Sequence, residues 1–291
     1  MRLRTLPLST GGVLLGILLA TADYKVDVRV AVLIVLTTVF LQILSNLSNE
    51  LGDVLHGTDT QDRKGPQYGL NSGVLSIGEM KFLIGLAVVL CIVSGTAMTL
   101  LSFGTLWDMT SILVLLLGAA AIMGAMKYTL GRRPYGYRGL GDFYVFLFFG
   151  LVAVLGSYFV AAHTLFLRLL LPGAAVGCFS VGVLNVNNIR DMKTDAPNRV
   201  TVAIRLGERN AKIYQAVLVV LGWVFMLAYC QLRMFSWWHY LFVATLPLYV
   251  LHLAGVFRRS GRELDPMLPL LVISTFLFCL LAGVGFCAHL F

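Results

Sequence analysis

Nine apolar runs recur along the 291-residue chain, each long enough to cross a hydrocarbon core of about 30 Å as a helix. They cover residues 6–22, 30–48, 81–103, 110–130, 142–163, 165–186, 213–232, 237–256 and 267–290. A chain that is 58% hydrophobic and only 12% charged would aggregate as a water-soluble domain. Strand-period alternation is absent, which argues against a barrel. The expected fold class is therefore all-α, a polytopic membrane protein set in the lipid bilayer, with one domain over residues 1–291.

The opening MRLRTLPLSTGG leads into the first run with no small-residue cleavage site behind it, so the first span is expected to stay. All five cysteines, Cys91, Cys178, Cys230, Cys279 and Cys287, fall inside spans without a CxxC pair or a His partner at metal spacing. Small buried hydrophobes account for them.

Alternate loops differ sharply in basic residues, and the positive-inside bias turns that difference into an orientation. With the N-terminus cytoplasmic, only Lys25, Arg29, Arg168 and Arg233 of the 22 basic residues remain for the other face. The acidic residues follow the same side, all but Asp23, Asp27 and Asp108. Positive-inside hardly counts acids, so something on the cytoplasmic face wants carboxylates and cations together.

The second run leads directly into SNLSNELGDVLHGTDTQDRKGP. Asn46, Asn49, Glu50 and Asp53 are spaced i, i+3, i+4, i+7 and form one stripe if the span continues as a helix. An ionised Asp at mid-membrane costs about 2.5 to 3.5 kcal/mol on insertion scales, so such groups face a cavity and mark a site. A second cluster follows the sixth run in NVNNIRDMKTDAPNRVTVAIRLG, where Asn188, Asp191 and Asp195 share a face, with Arg190 and Lys193 turned elsewhere. Like charges at i, i+4 destabilise a bare helix unless a cation sits between them, and two such clusters on one side of a membrane suggest facing walls.

Oxygen-only donors with no His or Cys nearby select a hard cation, and Mg²⁺ takes one or two carboxylates together with substrate phosphates. Arg63, Lys64, Arg132, Arg133, Arg138, Arg190, Arg199 and Arg205 lie on the same face and suit phosphate oxygens that a metal leaves uncovered. Taken singly, each of these basic residues is equally well explained as a surface charge obeying positive-inside.

These residues resemble the UbiA superfamily of intramembrane prenyltransferases, whose nine-helix fold surrounds a central cavity and carries NDxxDxxxD after helix 2 and DxxxD after helix 6. Here the first motif stands as Asn49, Glu50 and Asp53 and the second as Asp191 and Asp195. Glu50 replaces the usual Asp, and Gly57 stands where the last Asp is expected, with an acid two residues on at Asp59. That displaced pattern is similar to the branch that prenylates 1,4-dihydroxy-2-naphthoate in menaquinone synthesis. RLRTLP at 2–7, YGYRGLGDFYVFLFFGLVAVLG at 135–156, and NNIRD followed by TVAIRLG resemble the same branch, so the likeness covers nearly the whole chain. Family members commonly carry an extra amphipathic segment before RLRTLP, a further departure.

The resemblance implies transfer of a polyprenyl group from polyprenyl diphosphate to 1,4-dihydroxy-2-naphthoate with loss of CO₂, giving demethylmenaquinol. Asn49, Asp53, Asp59, Asp191 and Asp195 are then the expected Mg²⁺ ligands, the four aspartates among them being catalytic. Asn46, Asn49, Arg63, Lys127, Tyr128, Arg138, Asn188 and Arg190 are the expected substrate contacts. Tyr128, Tyr135 and Tyr137 are candidates to face an allylic cation, although aromatics in membrane proteins more often pack or anchor. GRRPYGYRGLG is a cap over the chamber or a plain turn. Asp142 and Glu79 are expected to serve helix N-termini. The expected setting is the cytoplasmic membrane with the site on its cytoplasmic side, and no nucleic-acid partner. Two rivals stand beside this reading: another aromatic acceptor such as 4-hydroxybenzoate, whose enzymes normally keep the unshifted motif, and a cation transporter using Asp53 and Asp191. A CDP-alcohol phosphotransferase is disfavoured, since its DG and AR spacing is missing.

Overall fold

The computed structural model describes residues 5–56, 69–70, 73–131, 134–197 and 199–288. Among them, nine helices are long and apolar enough to span a membrane. They are α1 (Leu6–Asp23), α2 (Val28–Leu55), α3 (Ile77–Phe103), α4 (Met109–Lys127), α5 (Gly141–Ala162), α6 (Leu167–Arg190), α7 (Val202–Gln231), α8 (Trp237–Arg258) and α9 (Gly261–Cys287). Each overlaps one of the nine apolar runs. No strand forms among the described residues, and an isolated bridge joins Arg138 to Val200. The chain is a multi-pass, all-helical membrane protein.

Local chemistry sets several helix starts. Asp27, Asp108 and Thr201 accept backbone N–H bonds at the beginnings of α2, α4 and α7, and Ser76 with Glu79 forms a reciprocal capping box on α3. Glu79 thus serves a helix N-terminus as expected. Asp142, in the first turn of α5, also accepts a hydrogen bond from the Tyr214 hydroxyl at 3.1 Å.

Helix length departs from the apolar runs at the polar ends. α2 continues past residue 48 to Leu55, carrying its acidic stripe as helix. α7 begins at Val202, well before its apolar run, and Gly207 at φ 75° and ψ 162° breaks the ladder there. α5 is α-helical at both ends, but Phe146–Gly156 is wound as a π-helix.

α6 is the most enclosed span, 83% of its apolar window being buried, and it packs between α5 and α7. The approach to α5 is close: a Cβ at Gly150 would lie 2.5 Å from the Gly177 Cα. α1 packs on α9 and α2 on α3, and an aromatic cluster of Phe179, Trp223, Phe242, Tyr249 and Phe278 fills the α6–α9 half. All five cysteines are free and buried. α4 is only 6% buried and stands at the rim, most of its surface turned outward.

Candidate active site

A chamber of about 750 Å³ opens between α1, α2, α4, α5, α6 and the start of α9. Its wall on α2 runs from Ile34 to Asp53, roughly 28 Å of rise at 1.5 Å per residue, so it spans most of a hydrocarbon core. The deep part is apolar, walled by Ile34, Met98, Val114, Leu117 and Val160. Asp53, Asn187, Asn188, Arg190, Asp191 and Arg199 gather at the other end, which forms a polar mouth.

The α2 stripe divides. Asn46, Asn49 and Asp53 line the chamber, while Glu50 does not. Along a helix, Asn49 and Glu50 diverge by about 100°, which puts Glu50 at the edge of the stripe. Its carboxylate accepts the Leu70 backbone N–H at 2.9 Å and ties the chain after α2 back onto the helix. The extra methylene of Glu over Asp lengthens that reach.

Asn46 and Asn49 both have partners. Asn46 accepts from Gln42 at 3.2 Å and from the Thr5 hydroxyl at 3.4 Å. The Thr129 hydroxyl donates to the Asn49 side chain at 3.1 Å and to the Ser48 carbonyl at 2.9 Å. Gly52 permits this approach, since a Cβ there would meet the Thr129 carbonyl oxygen at 2.7 Å.

Asp53 is 2% exposed and receives the Tyr137 hydroxyl at 2.8 Å together with a short ion pair from Arg199. Arg199 also reaches the buried Asp195 at 3.8 Å, and its guanidinium lies 4.3 Å from the Tyr137 ring centroid. Burial opposes the Arg199 charge, but the Asp53 and Asp195 carboxylates outweigh it and hold the guanidinium above its usual pKa. Arg199 thus places one cation between Asp53 of the first tip and Asp195 of the second. Burial, with Tyr128 and Tyr144 alongside, likewise raises the Tyr135 phenol, which stays neutral and donates to the Gly124 carbonyl at 2.7 Å.

On the second wall, Arg190 does not turn away from Asp191 as helix spacing suggested. Its long stem folds back, so that Nε and Nη2 bind Asp191 at 2.8 and 2.6 Å, Nη1 binds Asp265 at 2.8 Å, and Nη2 also reaches Asn187 at 2.8 Å. Among the described residues the mouth gathers four carboxylates (Asp53, Asp191, Asp195, Asp265) and three guanidiniums (Arg190, Arg199, Arg262).

Asn46, Asn49, Asp53, Tyr128, Asn188, Arg190 and Asp191 thus line one chamber, with Asp195 joined to it through Arg199. Lys127 and Arg138 do not: both are exposed and absent from the wall. The Arg138 backbone is held against Val200, which leaves its side chain outside. Asp59 and Arg63 lie outside the described residues. Sequence reading did not single out Arg199, Asn187, Thr129 or Asp265. Only Arg199 carried a signal, as one of many basic residues on that face. No group of three or more His, Cys, Asp or Glu side chains stands close enough to hold a metal among the described residues, and Arg190 and Arg199 pair with the acids at the mouth.

The model of the UbiA prenyltransferase family matches residues 10–267. The chain is 41% identical to the 1,4-dihydroxy-2-naphthoate octaprenyltransferase of Escherichia coli over 268 residues, 92% of this chain and 85% of that relative. It is 35% identical to the Haemophilus influenzae protein of the same name over 98% of this chain and 93% of that one. The apo structure of a UbiA homolog from Aeropyrum pernix K1 matches over 100% of both chains with a TM-score of 0.75 at 18% identity, a likeness of fold.

Proposed function

The chain belongs to the UbiA prenyltransferase family, and from that premise we propose that this membrane-embedded prenyltransferase transfers a polyprenyl group from polyprenyl diphosphate to 1,4-dihydroxy-2-naphthoate. CO₂ is lost from the ring and demethylmenaquinol results. The observation that carries this reading is that Asp53 and Asp191, from two different helix ends, line the mouth of one chamber whose depth is apolar. A diphosphate joined to a long hydrocarbon has the same division.

The donor set suits a hard divalent cation. Asp53, Asp191, Asn49 and Asn188 offer oxygen and no sulfur or imidazole, with Asp195 one arginine away. The charge balance agrees, since a diphosphate entering a mouth with four carboxylates and three guanidiniums needs further positive charge. Bound by Asn49, Asp53, Asp191 and Asp195, Mg²⁺ would neutralise diphosphate oxygens and so favour departure of the group.

The chain's own residues do the rest. Arg190 and Arg199, already within the chamber, exchange carboxylate for phosphate oxygens as the donor enters. Tyr128, Tyr135 and Tyr144 on the wall turn aromatic surface toward an allylic cation. Val114, Leu117, Phe148 and Val152 hold the tail and exclude water, which would quench that cation. Gln42, Asn46 and Ser9 supply hydrogen-bonding groups for the hydroxylated ring. The excess of basic residues at the mouth end supports a cytoplasmic N-terminus and chamber mouth in the inner membrane.

The test is direct. Purified protein given a polyprenyl diphosphate and 1,4-dihydroxy-2-naphthoate should form demethylmenaquinol and CO₂ with Mg²⁺ and not with chelator. Equal or better turnover of 4-hydroxybenzoate would overturn the choice of acceptor, and undiminished turnover in chelator would overturn the role given to the acids.

A further inference from the structure

At the end of the bundle opposite the chamber mouth, Asp23 of α1, Tyr158 of α5, Arg168 of α6 and Arg233 after α7 meet. Arg233 grips Asp23 with both ends of its fork, Nη1 to Oδ2 at 3.0 Å and Nη2 to Oδ1 at 2.5 Å, and the Tyr158 hydroxyl adds a bond to Oδ2 at 3.0 Å. That leaves little for a second guanidinium. Arg168 Nη2 stands 3.7 Å from Oδ2, too far for a hydrogen bond, and its Cζ lies 4.6 Å from the Phe166 ring centroid. Its Nε is buried with no hydrogen-bond partner. The Tyr229 hydroxyl, in a residue 0% exposed and within electrostatic reach of the same three charges, is also unpartnered.

Two guanidiniums around one carboxylate leave a formal charge of +1, and the Arg168 side chain, 32% exposed, carries part of it to the surface while its enclosed Nε lacks an acceptor, which is costly unless something accepts from it. The neighbours indicate where an acceptor comes from. Leu167 beside Arg168 is 83% exposed, and Met234 beside Arg233 is 91% exposed, with Phe235 and Trp237 following at 68% and 80%. Apolar side chains so exposed at span ends face the bilayer and its interface, where Trp also settles. Arg29, by contrast, is already occupied by Asp27 at 2.7 Å.

We propose that Arg168, backed by Arg233 and Tyr229, forms a binding site for a phosphate oxyanion, the headgroup phosphate of a phospholipid in the leaflet opposite the chamber mouth. The site is independent of the prenyl-transfer reading. A planar fork with unfilled N–H groups matches a phosphate better than a single ammonium does.

Native mass spectrometry of the full chain with dioleoylphosphatidylglycerol tests it. Wild type and Arg29→Gln should retain the lipid equally, and Arg168→Gln should retain at least about fivefold less, as expected for losing charge-assisted hydrogen bonds. Competition by millimolar inorganic phosphate would identify the oxyanion alone as sufficient, and resistance to it would show that the acyl chains contribute; either supports the site. Equal lipid retention by Arg168→Gln and wild type would overturn it. Should Arg168→Gln fail to fold, Tyr229→Phe, which removes one oxygen and no charge, carries the same comparison, with wild-type retention again the overturning result.

Discussion

Asp53 is almost wholly buried yet holds a hydroxyl and a guanidinium, so its carboxylate organises the mouth whether or not substrate is present. Asp53→Asn keeps the shape and the Tyr137 contact but takes a carboxylate charge from Arg199, leaving that guanidinium the longer ion pair to Asp195 beside the Tyr137 ring and hydroxyl. Turnover is expected to fall to background while the protein still inserts. Stability should drop by about 3 kcal/mol, the lower end of the cost of stranding one partner of a buried pair. Activity with a thermal melt of the same preparation checks both, and full activity would remove the role given to Asp53. At this scale Asp53 and Asp191 were legible because an acid at a membrane edge has few inexpensive alternatives. Arg199 was not, because positive-inside already explains a basic residue on that face and nothing in its neighbours distinguishes it from Arg205. Lys127 and Arg138 failed for the complementary reason: residues adjacent in sequence to a chamber wall need not turn into it.

Among the elements, α2 shows what hydropathy can and cannot reveal. The apolar run stops at 48, but the helix goes on to Leu55 because Thr129, Tyr137, Arg199 and the Leu70 amide satisfy its polar turns. Such partners lie far away in sequence, so the span was legible and its polar continuation was only conditional. The π-wound stretch of α5 left no such trace, since its composition reads as an ordinary apolar helix. The close approach of α2 to Thr129 makes a prediction about sign. In a helix, Ala is usually about 1 kcal/mol more favourable than Gly. At Gly85 of α3 nothing lies within 4 Å of an added Cβ, so Gly85→Ala should be neutral or stabilising. At Gly52 the new methyl would meet the Thr129 carbonyl oxygen at 2.7 Å, and Gly52→Ala should destabilise by about 1–3 kcal/mol, overpacking outweighing propensity. Melting temperatures of the two variants in one detergent decide it; shifts of the same sign would mean that α2 does not press on Thr129.

For the whole molecule, the chamber joins a charged mouth to an apolar depth, and this pairing separates a lipid-diphosphate enzyme from a cation transporter. A transporter usually places its ion near the midplane between inverted halves, whereas both acidic tips here belong to the same end of the bundle. The mouth was foreseeable from two motifs, but the depth was not, because no local pattern tells a lipid-facing Val from one lining a cavity. α4 supplies the test. From Val114 to Ala125 it walls the chamber over about 16 Å of rise, and Gly118 lies on that wall with nothing within 4 Å of an added Cβ. Gly118→Phe should therefore fold normally while filling part of the apolar depth. If the tail lies there, kcat/KM for a long polyprenyl diphosphate should fall at least about tenfold, since a blocked tail forfeits binding that positions the reacting end, while a two-isoprene donor is little affected. Comparing the two donors on one variant preparation cancels any general loss of active protein. An equal fall for both would place the tail elsewhere, along the outward face of α4 in the lipid.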